Sequence, residues 1–146
     1  ELGMRDVLSL SNAGVDYFVN TGSPHHVRFV ENVAGYPVFE EGKKIRYAGE
    51  YAPGGTNVNF VTPTSPTEIF VRTYERGVED ETLSCGTGVT ACALVYGFQN
   101  QLNEVNIKTP GGKLKVKFTK AADGSFTDIL LIGPAEQVYE GKIRLQ

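Results

Sequence analysis

The sequence contains no tryptophan, one methionine and two cysteines in 146 residues. Two thiols, Cys85 and Cys92, are too few for the disulfide framework of a small secreted scaffold. A reducing setting, the cytoplasm, is therefore the expected location. No apolar run approaches the ~20 residues that a membrane helix needs, and no charged and then apolar leader opens the chain. The first residue is Glu1 rather than methionine, as expected of an excised segment. Charge of either sign is also scarce, with 14 Lys and Arg against 17 Asp and Glu for a net charge of −3. The basic residues are scattered, so neither nucleic acid nor a membrane is an expected partner. Their densest group is Lys113, Lys115, Lys117 and Lys120, the first three on one strand face. That face is either a solvated sheet surface or a phosphate-binding one.

What the sequence does contain is material for a core. Hydrophobic residues make up 40%, including eight Phe and seven Tyr, which excludes disorder and suits one domain spanning 1–146. Alternating patterns predict a hairpin, Met4–Leu10 with Val15–Asn20, turning at Asn12-Ala13-Gly14. A third strand is predicted over His26–Val33, and an amphipathic helix over Val38–Tyr47 that Gly42 weakens. Strands follow at Asn57–Val61 and Thr67–Tyr74. Glu75–Thr82 is polar and loop-like. Val89–Phe98 is apolar on all sides, the signature of a fully buried helix. Glu104–Thr109 and Lys113–Thr119 flank the turn Pro110-Gly111-Gly112, and Phe126–Ile132 and Gln137–Arg144 supply the last two strands. The expected fold is α+β, with mostly antiparallel strands wrapped around one buried central helix.

The chemistry concentrates at Cys85-Gly-Thr-Gly88, the mouth of that helix. Helix N-termini present unpaired N–H groups and partial positive charge, which lower a thiol pKa and bind carboxylates. Cys85 is therefore expected to be partly thiolate near neutral pH, beside an anion pocket made by the Gly86 and Thr87 amides. Cys92, inside the apolar helix, is expected to be packing. His25 falls in a tight turn, Gly22-Ser-Pro-His25, that would expose its imidazole at a strand edge. It is either a candidate site residue or a turn histidine bonded to a carbonyl, while His26 is solvated or packed. Asn57 is polar in an apolar strand, either a capped strand end or a ligand contact.

Taken together, Gly22-Ser-Pro-His-His-Val27, Gly55-Thr-Asn-Val-Asn-Phe60, Arg72-Thr-Tyr-Glu-Arg-Gly77, Cys85-Gly-Thr-Gly88 and the tail Gly133-Pro-Ala-Glu-Gln-Val-Tyr-Glu-Gly141 resemble the C-terminal half of diaminopimelate epimerase. The resemblance runs from about Val15 to the end. Proline racemases share the Cys-Gly-Thr-Gly mouth but not the Tyr-Glu-Arg-Gly lead-in. The resemblance implies an enzyme without cofactor or metal that interconverts L,L- and meso-diaminopimelate, a small amino-acid substrate, for lysine and cell-wall precursor synthesis. Two cysteines work on opposite faces of the α-carbon, one removing the proton and the other returning one.

Residue by residue, the resemblance implies that Cys85 is one catalytic cysteine and that Gly86 and Thr87 bind the α-carboxylate. It makes His25 and Glu75 tuners of the cysteine pKa values. Asn57 and Arg76 contact the distal amino-acid end of the substrate, where a guanidinium fork suits a carboxylate. Ser23 and Glu75 are implied substrate contacts as well, Ser23 standing where the family commonly has asparagine, with a shorter reach. The stretch from Glu75 to Cys85 is one residue longer than the usual pattern, with the extra length within Val78–Glu81. The family's second cysteine lies at a Cys-Gly-Asn-Gly mouth in an N-terminal half, a motif absent here. Cys92 cannot replace it, being two helical turns, ~10 Å, deeper than Cys85. The expectation is therefore an isolated C-terminal half, inactive by itself, whose partner is the N-terminal half, with a homodimer possible for the full-length enzyme. Two other readings compete with it: a thiol hydrolase pairing Cys85 with His25, and a non-catalytic amino-acid or partner-binding domain.

Overall fold

The computed structural model describes residues 1–144. Ten strands form one sheet: β1 (Leu2–Gly3), β2 (Ser11–Ala13), β3 (Asp16–Asn20), β4 (Pro24–Phe29), β5 (Asn57–Ser65), β6 (Glu68–Glu75), β7 (Asp80–Thr82), β8 (Glu104–Thr109), β9 (Gly112–Lys120) and β10 (Phe126–Ile132). Two α-helices accompany them, α1 (Val38–Arg46) and α2 (Gly86–Asn100). The sheet order is β1-β10-β9-β8-β6-β5-β4-β3-β2, with β7 pairing β6 off this path. Pairing is antiparallel except between β4 and β5 and between β6 and β8. Each parallel pair needs a crossover; α1 lies in the first connection and α2 in the second.

The curled sheet wraps α2. Every residue from Gly88 to Gly97 is buried, so the helix has no polar face, as its all-round apolar sequence requires. Val89, Leu94 and Val95 pack against Val61 and Ile69 of the central strands and against Val105, Val116 and Phe118 of the β8–β9 hairpin in one core. Cys92 is fully buried in that core, as expected of a packing cysteine. A smaller cluster holds α1 to the sheet through Val38, Ile45, Val58, Phe60 and Tyr74. The Gly42 that weakens α1 as a helix is what admits it to the sheet, since a Cβ there would come 2.4 Å from the Tyr74 Cβ. Arg72 fastens the start of α1 by donating to the carbonyls of Val33, Ala34 and Tyr36 while pairing with Glu81.

Four expectations need correction. Met4–Leu10 does not form a hairpin with Val15–Asn20. It runs instead beside β10, with Met4 N–H on the Ile129 carbonyl and Val7 exchanging hydrogen bonds with Phe126. The partner of β3 is the short β2, and the turn falls at Gly14-Val15. Gln137–Arg144 is not a strand, because the outer edge of β10 is already taken by residues 2–7. Val138, Tyr139 and Ile143 stand 84–86% exposed, an alternating pattern with no face to bury. Third, Glu75–Thr82 is not all loop, since Asp80–Thr82 folds back as β7 onto β6. Finally, the predicted strand His26–Val33 begins at Pro24 and ends at Phe29.

The lysine face of β9 behaves as a solvated surface. Lys115 and Lys117 both reach Glu104 of β8, at 2.9 and 3.5 Å, and Lys120 lies over the Phe98 ring. Among the described residues, no helix is long and apolar enough to cross a membrane.

Candidate active site

Cys85 caps α2 in an extended conformation, with the first intrahelical bond running from the Val89 N–H to the Cys85 carbonyl at 2.9 Å. The amides of Gly86, Thr87 and Gly88 precede that bond and have no partner within the helix. Cys85 is 8% exposed, just beneath a surface where Leu83 and Ser84 are exposed and Gly86 and Thr87 half-buried. Gly88 lets the helix mouth sit this close to the sheet. A Cβ there would lie 2.4 Å from the Asn59 Oδ1 and 3.3 Å from the Cys85 Sγ.

Burial works against the expected thiolate. Burial pushes the Cys85 thiol above its ordinary range, outweighing the Thr87 hydroxyl and the Gly88 and Thr87 amides that favour the anion; the Glu75 carboxylate pushes the same way as burial. Desolvation, which acts against any buried charge, thus outweighs the helix terminus here. Iodoacetamide alkylation of Cys85, followed against pH, is expected to inflect above the ~8.5 of a free thiol. Thr87→Val is expected to move the inflection higher, since the hydroxyl donor is lost.

His25 also departs from expectation. It lies on β4, fully buried and paired with Asn57 of β5, not in an exposed turn. Pro24 begins the strand rather than preceding it. Its ring bridges sheet and helix. Asn59 donates from Nδ2 to the His26 carbonyl at 2.9 Å and faces the His25 Nδ1 at 3.2 Å. Nδ1 must therefore accept, and the neutral ring carries its proton on Nε2. Nε2 stands 2.9 Å from the Ser23 hydroxyl and 3.0 Å from that of Thr87. Burial, with the Arg76 charge in support, brings the His25 pKa down to about 3, so the imidazole is neutral at any working pH.

The Thr87 hydroxyl is the junction. It meets His25, accepts from Ser23 at 3.2 Å, and stands 3.5 Å from the Cys85 Sγ. Its carbonyl accepts from the Thr21 hydroxyl at 3.0 Å. His25 therefore reaches the thiol through Thr87 and not directly. Ser23 is short, as expected from its position, and its hydroxyl is spent on this network. Glu75 ends β6 and accepts from the Thr82 hydroxyl of β7 at 3.0 Å.

Asn57 and Arg76 form a second group. The Asn57 amide donates to the Pro24 carbonyl and accepts from the Arg76 N–H, both at 2.9 Å. The Arg76 guanidinium touches the Gly54 carbonyl at 3.4 Å, and no carboxylate among the described residues pairs with it. The site residues singled out in the sequence thus come together on the ends of β4, β5, β6 and α2. Missing from them were Asn59, Thr73 and Thr21. Thr73 donates to the Asn59 Oδ1 at 2.9 Å and so fixes the amide that fixes the His25 tautomer. The signal was available: Asn57 and Asn59 share one parity of an apolar strand, where a polar residue must find a partner.

The arrangement is a buried thiol with helix amides, a neutral imidazole behind a hydroxyl, a carboxylate and a free guanidinium. That is equipment for moving a proton beside an anionic group. Comparison with solved structures bears on the fold alone. A methylitaconate-delta-isomerase matches with a TM-score of 0.55 at 17% identity, over 90% of this chain and 47% of that one. A phenazine biosynthesis protein of the PhzF family from Enterococcus faecalis matches with a TM-score of 0.50 at 15% identity, over 82% of this chain and 42% of that one. The curated proteins are closer. Diaminopimelate epimerase of Flavobacterium psychrophilum is 49% identical over 95% of this chain and 58% of its own length. That of Aquifex aeolicus is 44% identical over 88% and 46%, and that of Chlorobaculum tepidum 45% over 88% and 50%. The chain spans about half the length of these relatives. The diaminopimelate epimerase family model matches residues 17–138, and the chain belongs to that family.

Proposed function

We propose that this chain is one thiol-bearing half of an enzyme that epimerises diaminopimelate in the cytoplasm, with Cys85 as one of its two acid–base groups. The observation that carries the reading is Cys85 at the α2 mouth, linked through Thr87 to a buried neutral His25. The second thiol belongs to an upstream half. The Gly86 and Thr87 amides would hold the α-carboxylate, and Arg76, free of a carboxylate partner, the distal end.

Inversion needs a base on one face of the α-carbon and an acid on the other. A thiolate takes the α-proton, and the electron pair left on the carbon spreads into the carboxylate, which the amides stabilise. The opposing thiol then gives its proton to the other face. One sulfur ends protonated and the other ionised, so the enzyme is left set for the reverse reaction. Burial keeps Cys85 protonated at rest, which suits it to be the donor when the upstream thiol is the base. Glu75 and the Thr87 hydroxyl then oppose each other in setting how readily that proton leaves.

The test is deuterium incorporation from heavy water into the α-position of L,L-diaminopimelate. The chain alone is expected to be silent, and the chain joined to an upstream half is expected to exchange and epimerise. Silence in both would overturn the assignment.

A further inference from the structure

The turn between β6 and β7 holds a carboxylate that the proposed chemistry does not use. Glu79 adopts φ +60°, in the left-handed region that few non-glycine residues occupy, and lies in the stretch where the sequence shows its extra length. Its carboxylate is fully engaged. Oε1 accepts from the Gly77 N–H at 2.9 Å and from the Arg46 Nε and Nη2 at 3.2 and 3.0 Å. Oε2 accepts from the Tyr47 hydroxyl at 2.9 Å and from that of Tyr74 at 3.4 Å. The Gly77 N–H foremost, then Tyr47 and Arg46, hold the carboxyl below its usual range against its partial burial.

Arg46, at the end of α1, faces two ways. One edge pairs with Glu79, while Nη1 donates to the Gly54 carbonyl at 3.3 Å. The Arg76 Nη1 reaches that same carbonyl at 3.4 Å. The Gly54 carbonyl is therefore shared by two guanidiniums, one held from behind by Glu79 and the other free to meet a ligand. Arg76 is otherwise held only through its main chain, on Asn57. An unpaired Arg46 would be drawn toward the next available acceptor, and the carbonyl that orients Arg76 would move with it.

We propose that Glu79, acting through Arg46 and the Gly54 carbonyl, is a positioning residue for Arg76 and thereby sets affinity for the distal end of the substrate. The inference rests on the epimerase reading. Glu79 touches no reacting atom, so its effect falls on binding rather than on proton transfer. A charge-assisted hydrogen bond at the distal end is shared by ground and transition states, so its weakening raises KM and leaves kcat in place.

The experiment uses the protein complete with its upstream half. Glu79→Ala is expected to raise KM for L,L-diaminopimelate about tenfold, with kcat changed less than about twofold. Glu79→Gln keeps acceptors for Tyr47 and Gly77 and is expected to fall between. Arg76→Met is expected to raise KM by itself, and adding Glu79→Ala to it to raise KM no further, because both act through one contact. An unchanged KM in Glu79→Ala, a kcat that falls with it, or full additivity with Arg76→Met would each overturn the positioning role. If Glu79→Ala does not fold, the same comparison is decided with Glu79→Gln. A parent enzyme that gives no exchange overturns the epimerase reading and this inference together, whereas an active parent with unmoved variants overturns this inference alone.

Discussion

Between pH 7 and pH 5 the folded protein is expected to lose about 2 kcal/mol of stability through His25 alone, and about 4 kcal/mol by pH 3. The native imidazole titrates at about 3 because burial penalises its cation, while in the unfolded chain it titrates near 6.5. Its folded pKa is depressed, so the stability it contributes is whole above pH 6.5 and declines as the pH falls toward 3. Charging the ring would add a second proton at Nδ1, which faces the Asn59 N–H, and would set two donors against each other. His26 adds to the effect with the same sign, because its burial outweighs the attraction of Asp16. Carboxylates held below their usual range, such as Asp16, act only at lower pH, so the interval from 7 to 5 isolates the histidines. Urea midpoints across that interval measure the effect. His25→Gln is expected to be less stable at pH 7 yet to show a flatter pH dependence than the parent. A parent midpoint that does not move between pH 7 and 5 would show that the ring charges inside the fold.

Cys85→Ala in the protein joined to its upstream half is expected to reduce epimerisation by at least about 10³-fold, with the fold retained. The side chain is small and near the surface, and alanine leaves Gly88 and Asn59 undisturbed. The loss should have a shape as well as a size. The remaining thiol can still remove an α-proton from the stereoisomer whose hydrogen faces it and return a deuteron to the same face. Exchange without inversion is therefore expected to survive for one of the two stereoisomers and vanish for the other. Mass spectrometry with chiral separation distinguishes these outcomes. Epimerisation within tenfold of the parent would remove Cys85 from the chemistry.

Much of the fold could be read from local pattern. α2 announced itself through the apolar run Val89–Phe98, which the structure buries from Gly88 to Gly97, and the β8–β9 hairpin through Pro110-Gly111-Gly112. What local pattern could not supply was which edges were free. The apolar alternation at Val138 and Tyr139 has strand character, but whether it pairs depends on residues 2–7, more than a hundred positions away. The candidates that gather at the ends of β4, β5, β6 and α2 were legible as residues, because Cys85, His25, Asn57, Glu75 and Arg76 sit in compact motifs. Its electrostatics were not. The Cys85 thiol and the His25 ring are both held neutral by burial, and burial is a property of the whole packing. Thr87 was read for its amide, yet its hydroxyl is what joins imidazole to sulfur. That role becomes visible only once β4 and α2 are brought together.

The two ends of the sheet carry a consequence for assembly. At one end β2 is three residues long, and at the other β1 is two, with Val7 bridging beyond it to Phe126. Such stubs offer a neighbouring chain almost no ladder of free N–H and C=O groups to extend. Copies of this protein are thereby discouraged from zipping edge to edge into fibrils at high concentration. Loops and faces are left as the larger surfaces, and these select by side-chain shape and charge where paired backbones would not.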